Sequence, residues 1–167
     1  MHSIGMNLKT KVLVFVYGSL LEGLHNHGHL SRVNARKICD DSIRAKLFTC
    51  NWSWPHIIFS HSNKDRVKGE VYEVTYQTVI TSLDRLEGYS IHHHSLHGKT
   101  CGCLFLRKKA LTKSGLKVIV YEGGNELHRA SYLTQIPDGD WKTAYQKHHA
   151  TRFTSSTEGE EDGNEES

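Results

Sequence analysis

The sequence predicts an α+β fold built on a mixed or barrel-like sheet, and three observations carry that expectation. Six or seven segments read as strands. One segment, Tyr76 to Glu87, has firm helical periodicity, with one or two lesser helices besides. The strands mostly follow one another without an intervening helix, which argues against a doubly wound parallel sheet. A chain of 167 residues suits one domain with a proper core. That domain is expected over residues 1–150, with a disordered acidic tail over 151–167.

Val12 to Tyr17 is an apolar run with the length and residue types of a buried first strand. Leu20 to Asn34 is polar and broken by glycine, so it reads as a loop leading into a short helix. Ile43 to Thr49 has mixed strand character. Trp52, Trp54 and Pro55 mark a bend before the short apolar strand Ile57-Ile58-Phe59. Arg66 to Val74 alternates and carries Gly69, which suggests a bulged strand. In the helix that follows, Tyr76, Val79, Leu83 and Leu86 share one face. Thr75 can cap its start and Gly88 can end it. Ser90 to Leu96, Thr100 to Arg107 and Leu116 to Tyr121 return to extended character, the last two joined by the polar stretch Leu111 to Gly115. Asp138-Gly139-Asp140 precedes a helix from about Trp141 towards His149. From Thr151 onward almost no apolar residue remains, the composition of a disordered segment.

Composition excludes several function classes. No run of about 18 apolar residues exists, so no membrane span is expected. The N-terminal segment lacks the apolar core of a signal peptide, which makes the cytoplasm the default location. Without a secretion signal, Cys39, Cys50, Cys101 and Cys103 read as free thiols. Cys101-Gly-Cys103 has a narrower spacing than structural zinc pairs and lacks a second pair, so core packing explains it better. The formal charge of +3 hides an asymmetry, because six acidic residues fall between Glu158 and Glu166. The remaining body carries 21 basic against 12 acidic residues. These cations are scattered, with only Arg107-Lys108-Lys109 clustered, and that cluster reads as a solvated run beside a hairpin loop. Nucleic-acid binding is therefore not the expected role. The chain has 13 histidines, densest at His92-His93-His94 and at His25, His27 and His29. Nothing in their spacing fixes convergence on a metal. Their number predicts a gain of positive charge below about pH 6.5.

Two features point to chemistry. The first strand stops at Tyr17-Gly18-Ser19-Leu20. Gly18 permits a sharp turn or a close approach, and the amides of Ser19 and Leu20 could bind an anion without a charged side chain. Far downstream, Glu87 ends the confident helix, where the macrodipole favours cations. Buried in a cleft, its carboxyl would titrate near neutrality and suit acid–base work. The plainer alternative is a half-exposed glutamate paired with a neighbouring Arg or Lys.

Five blocks occur in order: Val16-Tyr17-Gly18-Ser19-Leu20, with Gly23 and Asn26-His27 following; Val67 to Val74; Leu83-Asp84-Arg85-Leu86-Glu87-Gly88-Tyr89; Val118 to Tyr121; and Gly139-Asp140-Trp141. Through them the chain resembles the γ-glutamylcyclotransferase-like family, which includes γ-glutamylamine cyclotransferase and the AIG2-like proteins. The resemblance implies a small mixed β-barrel with flanking helices. It further implies that Tyr17, Gly18, Ser19 and Leu20 hold the α-carboxylate of a γ-glutamyl group, and that Glu87 is the acid–base residue. The reaction implied is attack of the substrate's own α-amine on its γ-carbonyl, releasing 5-oxoproline and a free amine or amino acid. It needs no cofactor and no metal, and its partner is a small γ-glutamyl molecule. One departure stands out: where the family often carries Tyr and then Arg after the Glu-Gly pair, this chain reads Ser90-Ile91-His92-His93-His94-Ser95. That departure keeps open a second reading, a binding module holding a small anionic metabolite without turnover. The released amine and the oligomeric state are not legible in the sequence.

Overall fold

The apolar run near the N-terminus forms β1 (Lys11–Val16), and its last three residues are all buried. Burial of successive residues means that both faces of the strand are covered, as a central position requires. β1 lies between β4 (Arg66–Thr75), antiparallel from Lys11↔Thr75 to Val16↔Glu70, and β6 (Lys117–Gly123), parallel at Val14↔Ile119. The structure is a computed structural model that describes residues 7–50, 52–90, 103–128 and 133–155. The extended reading of Ser90 to Leu96, the histidines His92 to His94, Cys101 and most of the acidic tail lie outside these residues.

Seven strands form one sheet. With β2 (Arg36–Thr49), β3 (Pro55–Phe59) and β5 (Phe105–Leu111), the order is β3-β2-β4-β1-β6-β5, and β7 (Thr134–Ile136) pairs with β2. The sheet curls until its ends approach each other. Ile43 in β2 bridges Thr112 just past β5, and the Lys113 amide donates to the Ser42 carbonyl at 2.8 Å. The Phe59 amide of β3 donates to Glu122 Oε1 of β6 at 3.2 Å. The result is a mixed, curled half-barrel with a few helices, in agreement with the expected α+β class. Phe15, Ile43, Leu47, Ile57, Val67, Val71 and Val120 fill its inside, each at most 2% exposed. Burying side chains of this size contributes about 1.5–3 kcal/mol each against leaving them in water.

Several expectations change in detail. β2 is a strand of 14 residues, twice the expected length. Its first half, Arg36 to Asp41, is polar and has no apolar pattern, and pairing with β4 holds it extended. The bulge falls in β2, between Lys37 and Cys39, not at Gly69 of β4. Gly69 is instead a place of close approach: a β-carbon there would lie 2.2 Å from the Val16 carbonyl oxygen and 2.5 Å from the Phe15 ring. Arg107 is not part of a solvated charge run, because its side chain is 11% exposed and paired with Asp84. Cys39, Cys50 and Cys103 are free thiols.

The helices are short except the last. α1 (Gly28–Arg32) buries Leu30. The expected helix is continuous but wound unevenly: α2 (Tyr76–Thr78), a π turn (Val79–Leu83) and α3 (Asp84–Leu86). Thr75 caps it as expected, accepting a hydrogen bond from the Thr78 amide. Gly88, at φ +64°, ends it. α4 (Asn125–His128) follows β6. α5 (Trp141–Ser155) outlasts its expected end at His149. Asp140 Oδ1 accepts from the Thr143 amide at its start, and Trp141, 1% exposed, anchors it. None of the described helices is long and apolar enough to cross a membrane.

Candidate active site

β1 delivers Tyr17-Gly18-Ser19-Leu20 to the edge of a cavity of about 250 Å³, and α3 delivers Glu87 to the same cavity. All five residues singled out in the sequence line it. Most of the remaining wall is apolar, with Asn26 and Tyr121 as further polar groups. No lysine, arginine or histidine is among the described lining residues.

The loop is held from behind. The Leu21 amide donates to the Gly18 carbonyl at 3.0 Å, which closes a turn over Ser19 and Leu20. Asn26 clasps the loop twice: its Nδ2 donates to Ser19 Oγ at 2.8 Å and its amide to the Ser19 carbonyl at 3.0 Å. His27 Nδ1 lies 3.0 Å from the Leu20 carbonyl. The amides of Ser19 and Leu20 donate to no group among the described residues, although Leu20 is only 5% exposed. Buried amides are normally paired, so two free ones at a cavity are donors awaiting an acceptor. Gly18 serves by close approach and not by a left-handed turn, since its φ is not positive. A β-carbon there would meet Pro55 Cγ at 2.9 Å and push β3 away from the loop.

Glu87 sits in the last turn, its amide donating to the Leu83 carbonyl at 2.9 Å. Its side chain makes no hydrogen bond or ion pair among the described residues, so the paired surface glutamate does not describe it. Burial pushes its carboxyl up to about 7. Burial also raises the Tyr17 hydroxyl well above its ordinary value, and the nearby Glu87 charge adds to that. The Tyr17 hydroxyl stays protonated and donates to the Tyr121 carbonyl at 2.6 Å.

Behind Glu87 lies a network that the sequence did not reveal. Asp84 Oδ1 accepts from the Tyr121 hydroxyl and Asp84 Oδ2 from Arg107 Nη1, each at 2.6 Å. The Arg107 guanidinium also lies over the rings of Tyr89, at 5.1 Å, and Tyr76, at 5.7 Å. Burial raises the Asp84 carboxyl, with Tyr121 and Arg107 opposing that rise. The ion pair ties the helix end to β5 and β6, the strands that form the opposite wall. Asp84 looked like an ordinary polar residue of an amphipathic helix, and no local signal marked Arg107 as its partner. Among the described residues, no group of three or more His, Cys, Asp or Glu is arranged to hold a metal.

A family profile described as gamma-glutamyl cyclotransferase, AIG2-like, matches residues 14–143. The chain belongs to this family. Solved structures share the gamma-glutamyl cyclotransferase-like fold at low identity. A uropathogenic E. coli-specific protein is 18% identical with a TM-score of 0.63, covering 83% of this chain and 98% of its own. An uncharacterized protein from Pyrococcus horikoshii is 24% identical with a TM-score of 0.56, covering 83% and 97%. An AIG2-like protein from Mus musculus is 20% identical with a TM-score of 0.54, covering 73% and 85%. At these identities the structural likeness speaks for the fold alone. A search of curated proteins finds no match.

Proposed function

We propose that this member of the gamma-glutamyl cyclotransferase, AIG2-like family converts a γ-glutamyl amine or peptide into 5-oxoproline and a free amine. One observation carries the reading: an unpaired carboxyl titrating near 7 shares a cavity with two unpaired backbone amides. The amides of Ser19 and Leu20 are suited to the α-carboxylate of the γ-glutamyl group. Glu87 is suited to the proton traffic at the other end.

The chemistry balances without a co-reactant. Glu87 takes one proton from the substrate's α-ammonium, which frees the nitrogen lone pair. The nitrogen attacks the γ-carbonyl carbon, forming the ring C–N bond and placing negative charge on the carbonyl oxygen. Glu87 then returns its proton to the amide nitrogen as the old C–N bond breaks. The ring nitrogen loses a second proton, which leaves with the departing amine as its ammonium form. Folding the chain so that amine and carbonyl meet is the main task, and well-oriented intramolecular attack can lower a barrier by about 7–11 kcal/mol. The apolar wall limits water, which strengthens the hold of fixed dipoles on the developing charge.

Incubating the chain with γ-glutamyl amines and dipeptides tests this reading. The expected result is 5-oxoproline and amine in equal amounts. Binding of an intact γ-glutamyl compound without product would replace the enzyme by a metabolite-binding module. Asn26→Ala removes the side-chain clasp on Ser19 and lets the anion-binding amides wander. Its expected effect is a KM raised about tenfold, equivalent to ~1.4 kcal/mol, with kcat changed less. Steady-state kinetics on one γ-glutamyl amide checks it.

A further inference from the structure

Two of the large apolar side chains left exposed in the described structure stand on this one cavity: Trp54 and Leu104, each 41% exposed. They flank opposite sides of the reacting group. Trp54 precedes Pro55, which packs against Gly18 in the anion-binding loop. Leu104 lies beside Gly88, its Cβ 3.5 Å from where a β-carbon of that glycine would be, and so next to Glu87. If the γ-glutamyl carboxylate rests on the loop and the scissile nitrogen faces Glu87, the released group must leave between these two side chains.

We propose that the site selects γ-glutamyl conjugates of uncharged apolar amines, aryl-alkyl amines above all, over γ-glutamyl amino acids and peptides. The inference rests on the cyclotransferase reading and adds the class of leaving group. Trp54 offers an aromatic face for an offset stack, and Leu104 with Pro55 offers aliphatic area. A γ-glutamyl amino acid would bring a second carboxylate to the same place. No described lining residue carries a positive charge to receive it. The nearest buried cation on that wall, Arg107, is already engaged with Asp84. A carboxylate desolvated there without a partner binds poorly. An apolar group covers Trp54 and Leu104 and gains from leaving water.

The test compares γ-glutamylbenzylamine, γ-glutamylbutylamine, γ-glutamylglycine and γ-glutamylglutamate by 5-oxoproline release, alongside calorimetric binding of the same four. The expected kcat/KM for the benzyl conjugate exceeds that for γ-glutamylglycine at least about tenfold, in the range a hydrophobic pocket supplies, with γ-glutamylglutamate lowest. Trp54→Ala and Leu104→Ser should each bring that ratio towards one. Both side chains are exposed, so thermal melts of the variants should match the parent. Equal rates, or a preference for γ-glutamylglycine, overturn the inference and leave the cyclotransferase reading standing. If none of the four yields 5-oxoproline, the cyclotransferase reading fails. The binding ratios then decide the selectivity on their own: tighter binding of the benzyl conjugate supports it, and indifference overturns it.

Discussion

Glu87→Gln will lower 5-oxoproline release by at least about a hundredfold, the usual contribution of a positioned acid–base group. Glutamine has nearly the same shape, so the cavity stays intact, but its amide cannot accept and return the proton. The parent should show kcat/KM rising through about pH 7 as Glu87 ionises. The variant should lose that limb. Turnover equal to the parent would remove Glu87 from the mechanism. The same variant makes a second, opposite prediction. The folded carboxyl titrates near 7 against an ordinary 4.5, so the folded state holds the proton more tightly than the unfolded chain. The stability this contributes is fully present below about pH 4.5 and is lost as pH rises through 7. At pH 8 the buried charge costs at most about 3 kcal/mol. Glutamine never ionises, so the inactive variant should melt higher than the parent at pH 8, by about 2–4 °C for each kcal/mol. The two should melt together at pH 4.5.

Asp84→Ala will cost about 3–5 kcal/mol of stability, the usual result of removing one partner from a buried ion pair. Arg107 and Asp84 have side chains only 11% and 9% exposed. The deletion leaves the guanidinium charge among Tyr76 and Tyr89 and the Tyr121 hydroxyl without its acceptor. Arg107→Met should cost a similar amount, because Asp84 is then the orphan. The double variant should be much more stable than the sum of the two losses predicts, since neither charge remains. Urea unfolding of all four proteins closes the cycle. Additive losses would mean that the pair is not coupled, and the proposed brace between the helix end and the sheet would fall with it.

The parts of the site that could be read in the sequence are those carried by short contiguous signals. Tyr17 to Leu20 follow an apolar run that could only be a buried strand, and Glu87 precedes a glycine that stops a helix. The parts that could not be read depend on distant partners. Gly18 is needed because Pro55 comes close, and Asp84 is special because Arg107 and Tyr121 reach it. Half of β2 was hidden for a related reason. Arg36 to Asp41 has no apolar alternation, and only the edge offered by β4 makes it a strand. The π turn is invisible to a pattern of buried positions, since Val79 and Leu83 remain buried with or without the extra residue in the turn.

The hydrogen bond from Tyr17 to Tyr121 joins residues 104 positions apart. It has a kinetic consequence. The loop is made early in synthesis, but its opposite wall arrives only with β6, which joins β1 by the parallel pairing at Val14↔Ile119. Contacts so distant along the chain are slow to close, because the loop entropy is spent before they reward it. A nascent chain released before β6 therefore exposes the apolar edge of β1 to other chains, a site for aggregation. The cavity exists only after the late strand docks, so binding capacity should appear in refolding with the last phase and not with the first.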